Sequence, residues 1–312
     1  MNPVFLYAGQ GSQQLGMGKD FYEEYDTFRE LVDCLDEEGT LRNLMWEGTE
    51  EELALTENTQ PCMALFAAGV TTLLKDAGII PSAALGLSLG EYGALFVAEV
   101  FDAKDYVKMT AFRGRQMAKA AEGLSCSMSA ILGASKETVE KACRDYEGEG
   151  YVTVANYNCP GQYVICGDEV AVSATEKTLA EAGAKKAVRL KVSGPFHTKF
   201  MEPAAERLKD YLDKVDFNSP TIPVALNVTG DFAKEDADLK ANLVLQIQSG
   251  VHLEDELKAV LSQGYTDFIE IGPGNAVSGF LKKTARECGV SVNVITINTT
   301  EDFRKVTGEL DG

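Results

Sequence analysis

Apolar residues fill Pro3-Val4-Phe5-Leu6-Tyr7-Ala8 with too little alternation for a half-exposed strand, so the pattern predicts a strand buried on both faces. It runs into Gly9-Gln10-Gly11-Ser12-Gln13, a glycine-rich loop. Residues 19 to 46 place apolar positions at helical spacing among acids and predict amphipathic helices. Residues 62 to 77 predict a more apolar helix, capped near Thr59 and Pro61. Gly78 to Leu85 is short and apolar around one proline, as a buried strand and its lead-in would be. Glu91 to Ala98 returns to helical spacing, and another helix is predicted around 103 to 120. A helix-rich, strand-punctuated opening of this kind suits an α/β domain with a mainly parallel sheet.

From residue 127 the pattern changes. Ser127 to Leu132 reads as a strand, and Ser135 can cap a helix whose apolar face is Val139, Ala142, Cys143 and Tyr146. Tyr151 to Tyr157 and Gln162 to Gly167 read as strands joined by the turn Asn158-Cys159-Pro160-Gly161. A helix from Glu169 to Ala182 and a strand from Ala187 to Val192 complete the order βαββαβ, the ferredoxin-like arrangement. Phe200 to Leu212, the strand Val224 to Val228, and Phe268-Ile269-Glu270-Ile271 followed by Gly272-Pro273-Gly274 then resume the α/β pattern. The expected organisation is a discontinuous large domain, 1–126 and 195–312, with a small domain, 127–194, inserted into it.

Composition narrows the class. A chain of 312 residues with 45% hydrophobic and 25% charged residues is ordinary globular material. Its net charge of −19 argues against a nucleic-acid partner. Residues 1 to 8 lack a basic n-region and meet Gly9 too soon for a signal peptide, and no apolar run is long enough to span a bilayer. Seven cysteines without paired spacing read as reduced thiols, and none joins a histidine at metal-ligand spacing. The expectation is a soluble cytoplasmic protein with no membrane or nucleic-acid partner.

Candidate chemistry centres on Gly86-Leu87-Ser88-Leu89-Gly90-Glu91, a Gly-x-Ser-x-Gly turn between a predicted strand and a predicted helix. That is the nucleophile elbow, with glycines permitting a strained turn that lifts the serine hydroxyl above the sheet. A serine needs a base, and the chain holds two histidines. His252, in Gly250-Val251-His252-Leu253-Glu254-Asp255, reads as a solvated residue at a helix start; His197, in Ser193-Gly194-Pro195-Phe196-His197, follows the last strand of the insert, where a cleft is expected. The Gln10 amide, between two glycines, and the Leu89 amide, after the nucleophile, would form an oxyanion hole. Arg113 and Arg115, in a largely apolar helix, are equal candidates for a fork that holds a substrate carboxylate.

In this order, Gly9-Gln10-Gly11-Ser12-Gln13, Gly86 to Tyr92, Arg113-Gly114-x-x-Met117, Asn156-Tyr157-Asn158-x-Pro160-Gly161-Gln162, His197 and Glu270 to Gly274 resemble the malonyl-CoA:acyl-carrier-protein transacylases over essentially the whole chain. The resemblance implies an α/β-hydrolase-like core with a ferredoxin-like insert, and a Ser88–His197 dyad working by ping-pong transfer from malonyl-CoA to acyl carrier protein without metal or redox cofactor. It implies Arg113, not Arg115, as the malonyl clamp. Gln246 matches the glutamine that helps hold the histidine, and Phe196 matches the bulk that excludes a 2-methyl branch. Two departures stand out: Leu87 replaces the usual histidine before the nucleophile, and residues 247 to 253 lack the commoner Pro-Val. A sister acyltransferase of a polyketide or malonate-decarboxylase system, and a serine acyl hydrolase, are the rival readings; a non-catalytic carrier-protein binding module is a third. Because such carrier proteins are acidic, Lys185, Lys186, Arg189 and Lys191 are expected to form a local basic docking patch, with Lys282, Lys283 and Arg286 the alternative.

Overall fold

The computed structural model describes residues 3–190, 194–235 and 237–308. The chain opens with β1 (Val4–Tyr7) and five helices, α1 (Lys19–Glu24), α2 (Asp26–Leu35), α3 (Thr40–Glu47), α4 (Glu50–Ala54) and α5 (Thr56–Asp76). Then come β2 (Ala83–Gly86), α6 (Leu89–Val97) and α7 (Ala103–Ala121). The middle third holds β3 (Cys126–Leu132), α8 (Lys136–Arg144), β4 (Val152–Cys159), β5 (Gln162–Asp168), α9 (Glu169–Glu181) and β6 (Lys186–Arg189). The chain continues with α10 (Glu202–Leu212), β7 (Ala225–Leu226), β8 (Asp231–Phe232), α11 (Leu239–Gln246), α12 (Leu253–Ser262), β9 (Asp267–Ile271), α13 (Ala276–Glu287), β10 (Asn293–Ile297) and α14 (Thr300–Thr307).

The main sheet is parallel in the order β10-β9-β1-β2, so the first strand lies at its centre. Strand geometry sends successive side chains to opposite faces. Phe5 and Tyr7 accordingly enter the core packed by α5, α6 and α7, while Val4 and Leu6 pack with α12 and α13 on the other side. Both faces are covered, which is why the strand carries no polar alternation. Ligands of such sheets sit beyond the carboxyl ends of the strands, and β1 and β2 deliver their loops there side by side.

The middle segment forms a separate antiparallel sheet, β4-β5-β3-β6, with α8 and α9 packed on a core of its own. Ser135 caps α8 as the sequence indicates.

Several boundaries differ from the sequence pattern. The long apolar helix starts at Thr56, so Pro61 lies inside it. An interior proline costs about 3 kcal/mol, but each large apolar side chain buried by α5 returns roughly 1.5–3 kcal/mol, and Leu65, Phe66, Val70 and Leu74 are all buried. The turn between β4 and β5 is only Pro160-Gly161, because Asn158 and Cys159 still belong to the strand. The run Val224 to Val228 is barely a strand: β7 pairs with β8 in a short hairpin, and Val224 bridges β2. Asn227 leaves the ladder to bond elsewhere. Among the described residues no helix is long and apolar enough to cross a membrane.

Candidate active site

The turn from β2 into α6 is tightly packed against its surroundings. A Cβ on Gly86 would lie 2.1 Å from the Gly90 carbonyl carbon, and one on Gly90 would lie 2.2 Å from the Tyr7 oxygen. The glycines therefore serve close approach. The strain itself falls on Ser88, whose φ is 54° and ψ −98°, which corrects the expectation that the glycines would absorb it. His197 also sits at a positive φ, 60°.

These two residues meet across the cleft. Ser88 Oγ is 2.8 Å from His197 Nε2, and His197 Nδ1 is 2.8 Å from the Gln246 main-chain oxygen. A carbonyl can only accept, so Nδ1 carries the proton and Nε2 is free to accept the serine proton. Gln246 thus orients the histidine by its backbone, not by its side chain. Burial, reinforced by the positive charge of Arg113, lowers the His197 pKa to about 4, which keeps the imidazole neutral at physiological pH, with Nε2 free to accept a proton.

Arg113 is buried and Arg115 exposed, so the fold separates two residues that spacing left equal. The Arg113 guanidinium donates to Ser88 Oγ at 3.0 Å, Gln246 Oε1 at 2.9 Å and Gln60 Oε1 at 2.8 Å. Its charge beside the hydroxyl favours the serine alkoxide. The Leu89 amide opens α6 and has no carbonyl within the helix to bond, as the first amides of any helix do not. Gln10 lies in the loop after β1, its side chain tied to Thr56 Oγ1 at 3.0 Å.

Ser88, Arg113, Phe196, His197, Gln10 and Leu87 line one pocket of about 280 Å³. Its far wall comes from the antiparallel sheet, with Met128, Asn156, Asn158 and Gln162. A larger cleft, about 560 Å³, lies between α8 and β4 but contains no serine, histidine or lysine among its lining residues. His252 is outside the site: it precedes α12, stacks on Tyr157 with ring centroids 4.6 Å apart, and faces Asp255. Glu270, part of a motif noted in the sequence, is buried and accepts from the Val277 and Ser278 amides, so it caps α13.

The expected docking patch is altered by its neighbours. Lys185 and Lys186 are exposed at the start of edge strand β6. Arg189 is engaged by Glu169 at 2.9 Å and Glu176 at 2.7 Å, so its charge is largely neutralised locally. Lys191 lies outside the described residues. Lys282, Lys283 and Arg286 are exposed on α13.

Behind the serine is a layer that sequence reasoning missed: Gln60, Glu91, Asn227 and Glu256, all fully buried. Glu91 was visible within the elbow motif, and Asn227 interrupts an apolar run; Gln60 and Glu256 carried no local signal.

The chain matches the acyl transferase domain family over residues 4–307. It is 42% identical over 286 residues to the malonyl CoA-acyl carrier protein transacylase of Bacillus subtilis (strain 168), covering 91% of this chain and 90% of that one. The crystal structure of MCAT from Streptococcus pneumoniae has a TM-score of 0.92 at 37% identity, covering 99% of this chain and 100% of the other. A malonyl-transacylase in complex with the holo acyl-carrier protein of a type II PKS also aligns at a TM-score of 0.92, with 30% identity and coverage of 99% and 100%. With that geometry and these relatives together, the chain belongs to the acyl transferase family and, within it, to the malonyl CoA-acyl carrier protein transacylases.

Proposed function

We propose that this chain transfers the malonyl group of malonyl-CoA to the phosphopantetheine thiol of an acyl carrier protein, supplying fatty acid biosynthesis. The observation that carries the reading is Arg113, a buried cation 3.0 Å from the Ser88 hydroxyl whose other side meets His197. A carboxylate-bearing acyl group is what a fork at that distance would hold. The relatives named above act on the same two substrates.

In this mechanism His197 Nε2 takes the Ser88 proton as Oγ attacks the thioester carbon. The Gln10 and Leu89 amides hold the oxyanion, and the proton passes to the departing CoA sulfur. The carrier thiol then attacks the malonyl ester, giving its proton to His197, which returns it to Ser88 Oγ. Arg113 swings from Ser88 and Gln246 to the malonyl carboxylate, and Phe196 limits the width of the pocket beside it. No metal or redox cofactor takes part in the proposed chemistry. The carrier protein would dock at Lys185 and Lys186; β6 leads from them to Leu190 on the pocket wall, about 13 Å away at strand rise.

We also read residues 127–194 as a ferredoxin-like small domain inserted into an α/β-hydrolase-like core of 1–126 and 195–312. The order β3-α8-β4-β5-α9-β6 and the separate core of that segment support it. A cytoplasmic site of action fits seven free cysteines. The type II PKS neighbour favours one second reading, in which the carrier served belongs to a polyketide system.

The test is intact mass after mixing with malonyl-CoA. The expected result is one malonyl adduct on the wild-type chain and none on Ser88→Ala. A protein that stays unmodified while CoA is released would be a hydrolase instead.

A further inference from the structure

A serine does not hold φ 54° and ψ −98° unaided, and the hydrogen bonds on both flanks of the elbow converge on a single side chain. Asn227 is fully buried, immediately after β7. Its Oδ1 accepts the Ser88 N–H at 2.7 Å, and its Nδ2 donates to the Gly86 carbonyl at 2.7 Å and to Glu256 Oε1 at 2.8 Å. Its main chain is tied as firmly. The amide donates to Glu91 Oε2 at 3.0 Å, and the carbonyl accepts from the His252 amide at 2.8 Å. All four polar groups of Asn227 are therefore used, two of them on the strained turn and one on each of two buried acids or their helix.

The residue type follows from that arrangement. The turn presents a donor, the Ser88 amide, and an acceptor, the Gly86 carbonyl, to the same planar group. Only a carboxamide satisfies both while sending a second N–H to Glu256. We propose that Asn227 is a positioning residue for acyl transfer, holding Ser88 in its strained turn from both flanks, with Glu256 fixing the orientation of its carboxamide. The proposal deepens the function given above and rests on it for the substrate used. Asn227 does not line the pocket, so it acts through the residues that do, Ser88 first among them.

The charges facing this carboxamide set its pH behaviour. Glu256 reaches it from α12, with Asp255 beside Glu256, and Glu91 from α6 accepts from the adjoining Asn227 main-chain amide; Gln246 from α11 lies 3.3 Å from Oδ1 and links it to Arg113 on α7. Burial and the charge of Glu91 hold Glu256 well above the usual carboxylate range, consistent with a neutral acid accepting through Oε1. A carboxyl substituted at 227 would enter a dry site with two acids already present. Ionised, it would set an oxygen against the Gly86 carbonyl; protonated, it could again donate.

The experiment measures single-turnover acylation by malonyl-CoA and the sulfonylation of Ser88 by phenylmethanesulfonyl fluoride, both by intact mass, from pH 6 to pH 9.5. Asn227→Asp is expected to lose at least about tenfold in maximal acylation rate at high pH, with half-saturating malonyl-CoA unchanged and the deficit shrinking as pH falls. Sulfonylation should slow in parallel. Glu256→Leu should also lower the maximal rate, and Glu256→Gln, which keeps an oxygen facing Nδ2, should restore part of it. A deficit independent of pH, a change confined to half-saturation, or equal rates for Glu256→Leu and Glu256→Gln would overturn the proposal; the last comparison stands even if Asn227→Asp does not fold. Wild-type protein that is sulfonylated but never malonylated would instead overturn the function, leaving the sulfonylation ratios to judge Asn227.

Discussion

Replacing Arg113 tests the assignment of the substrate most directly. In the free protein its guanidinium bonds to Gln60, Ser88 and Gln246 all end on neutral oxygens, and its buried Nε has no hydrogen-bond partner among the described residues. A carboxylate entering the pocket would complete a buried charge pair, and truncating one member of such a pair costs about 2–5 kcal/mol. At ~1.4 kcal/mol per tenfold, Arg113→Ala should lower kcat/KM for malonyl-CoA by roughly 30-fold to 4,000-fold. Acetyl-CoA has no carboxylate to lose, so its transfer should fall only by what loosening Ser88 costs, about tenfold or less. The substitution also strips donors from the Gln60 and Gln246 side-chain oxygens, at about 1–3 kcal/mol each, so the midpoint of thermal unfolding should drop while the transition stays cooperative. The assay compares both CoA esters with one carrier protein and reads the ratio, which cancels any shared loss of folded protein. An unchanged malonyl-to-acetyl ratio would refute the clamp and leave Arg113 a structural residue. Arg113→Lys should not rescue, because an ammonium lacks the planar fork that spans three partners.

Two further outcomes follow from the geometry. His197→Ala should remove several orders of magnitude of acylation rate, not additive with Ser88→Ala, whereas His252→Ala should leave it nearly intact; because burial and Arg113 lower the His197 pKa to about 4, the acid limb of acylation should fall near pH 4, and a limb near pH 6.5 would contradict the buried, neutral base. Reversing the charge of Lys185 and Lys186 should raise KM for the carrier protein, more at low salt than at high, without changing self-acylation by malonyl-CoA; reversing Arg189 should do less, since Glu169 and Glu176 already hold it, and no change at any of the three would move docking to the α13 face.

Much of the architecture was readable because its signals are local. A strand buried on both faces needs an unbroken apolar run, so Val4 to Tyr7 announced the centre of the sheet. The elbow announced itself because its glycines must lie next to the serine in sequence as well as in space. With only two histidines in the chain, the base was nearly decided before folding. Strand lengths were less legible: Val224 to Val228 has the composition of a strand, yet its hydrogen bonds go to a short hairpin and to the elbow.

What the residues alone determined, then, was the order of elements as far as β6, a candidate nucleophile and a short choice of partners for it. Which partners reach Ser88 was decided by tertiary structure, because the contacts are made across long stretches of chain. Arg113 and Arg115 have the same chemistry but lie two residues, about 200°, apart around α7; packing buries the first against Gln60 and Gln246 and leaves the second in solvent. Gln246 holds His197 through a carbonyl that every residue possesses, so no side-chain pattern could have revealed the contact. The carboxamide of Asn227 and the acids Glu91 and Glu256 become a single network only when α6, α12 and the turn after β7 close around the serine. Burial then makes each of their hydrogen bonds costly to leave unmade, a condition that exists nowhere in the unfolded chain.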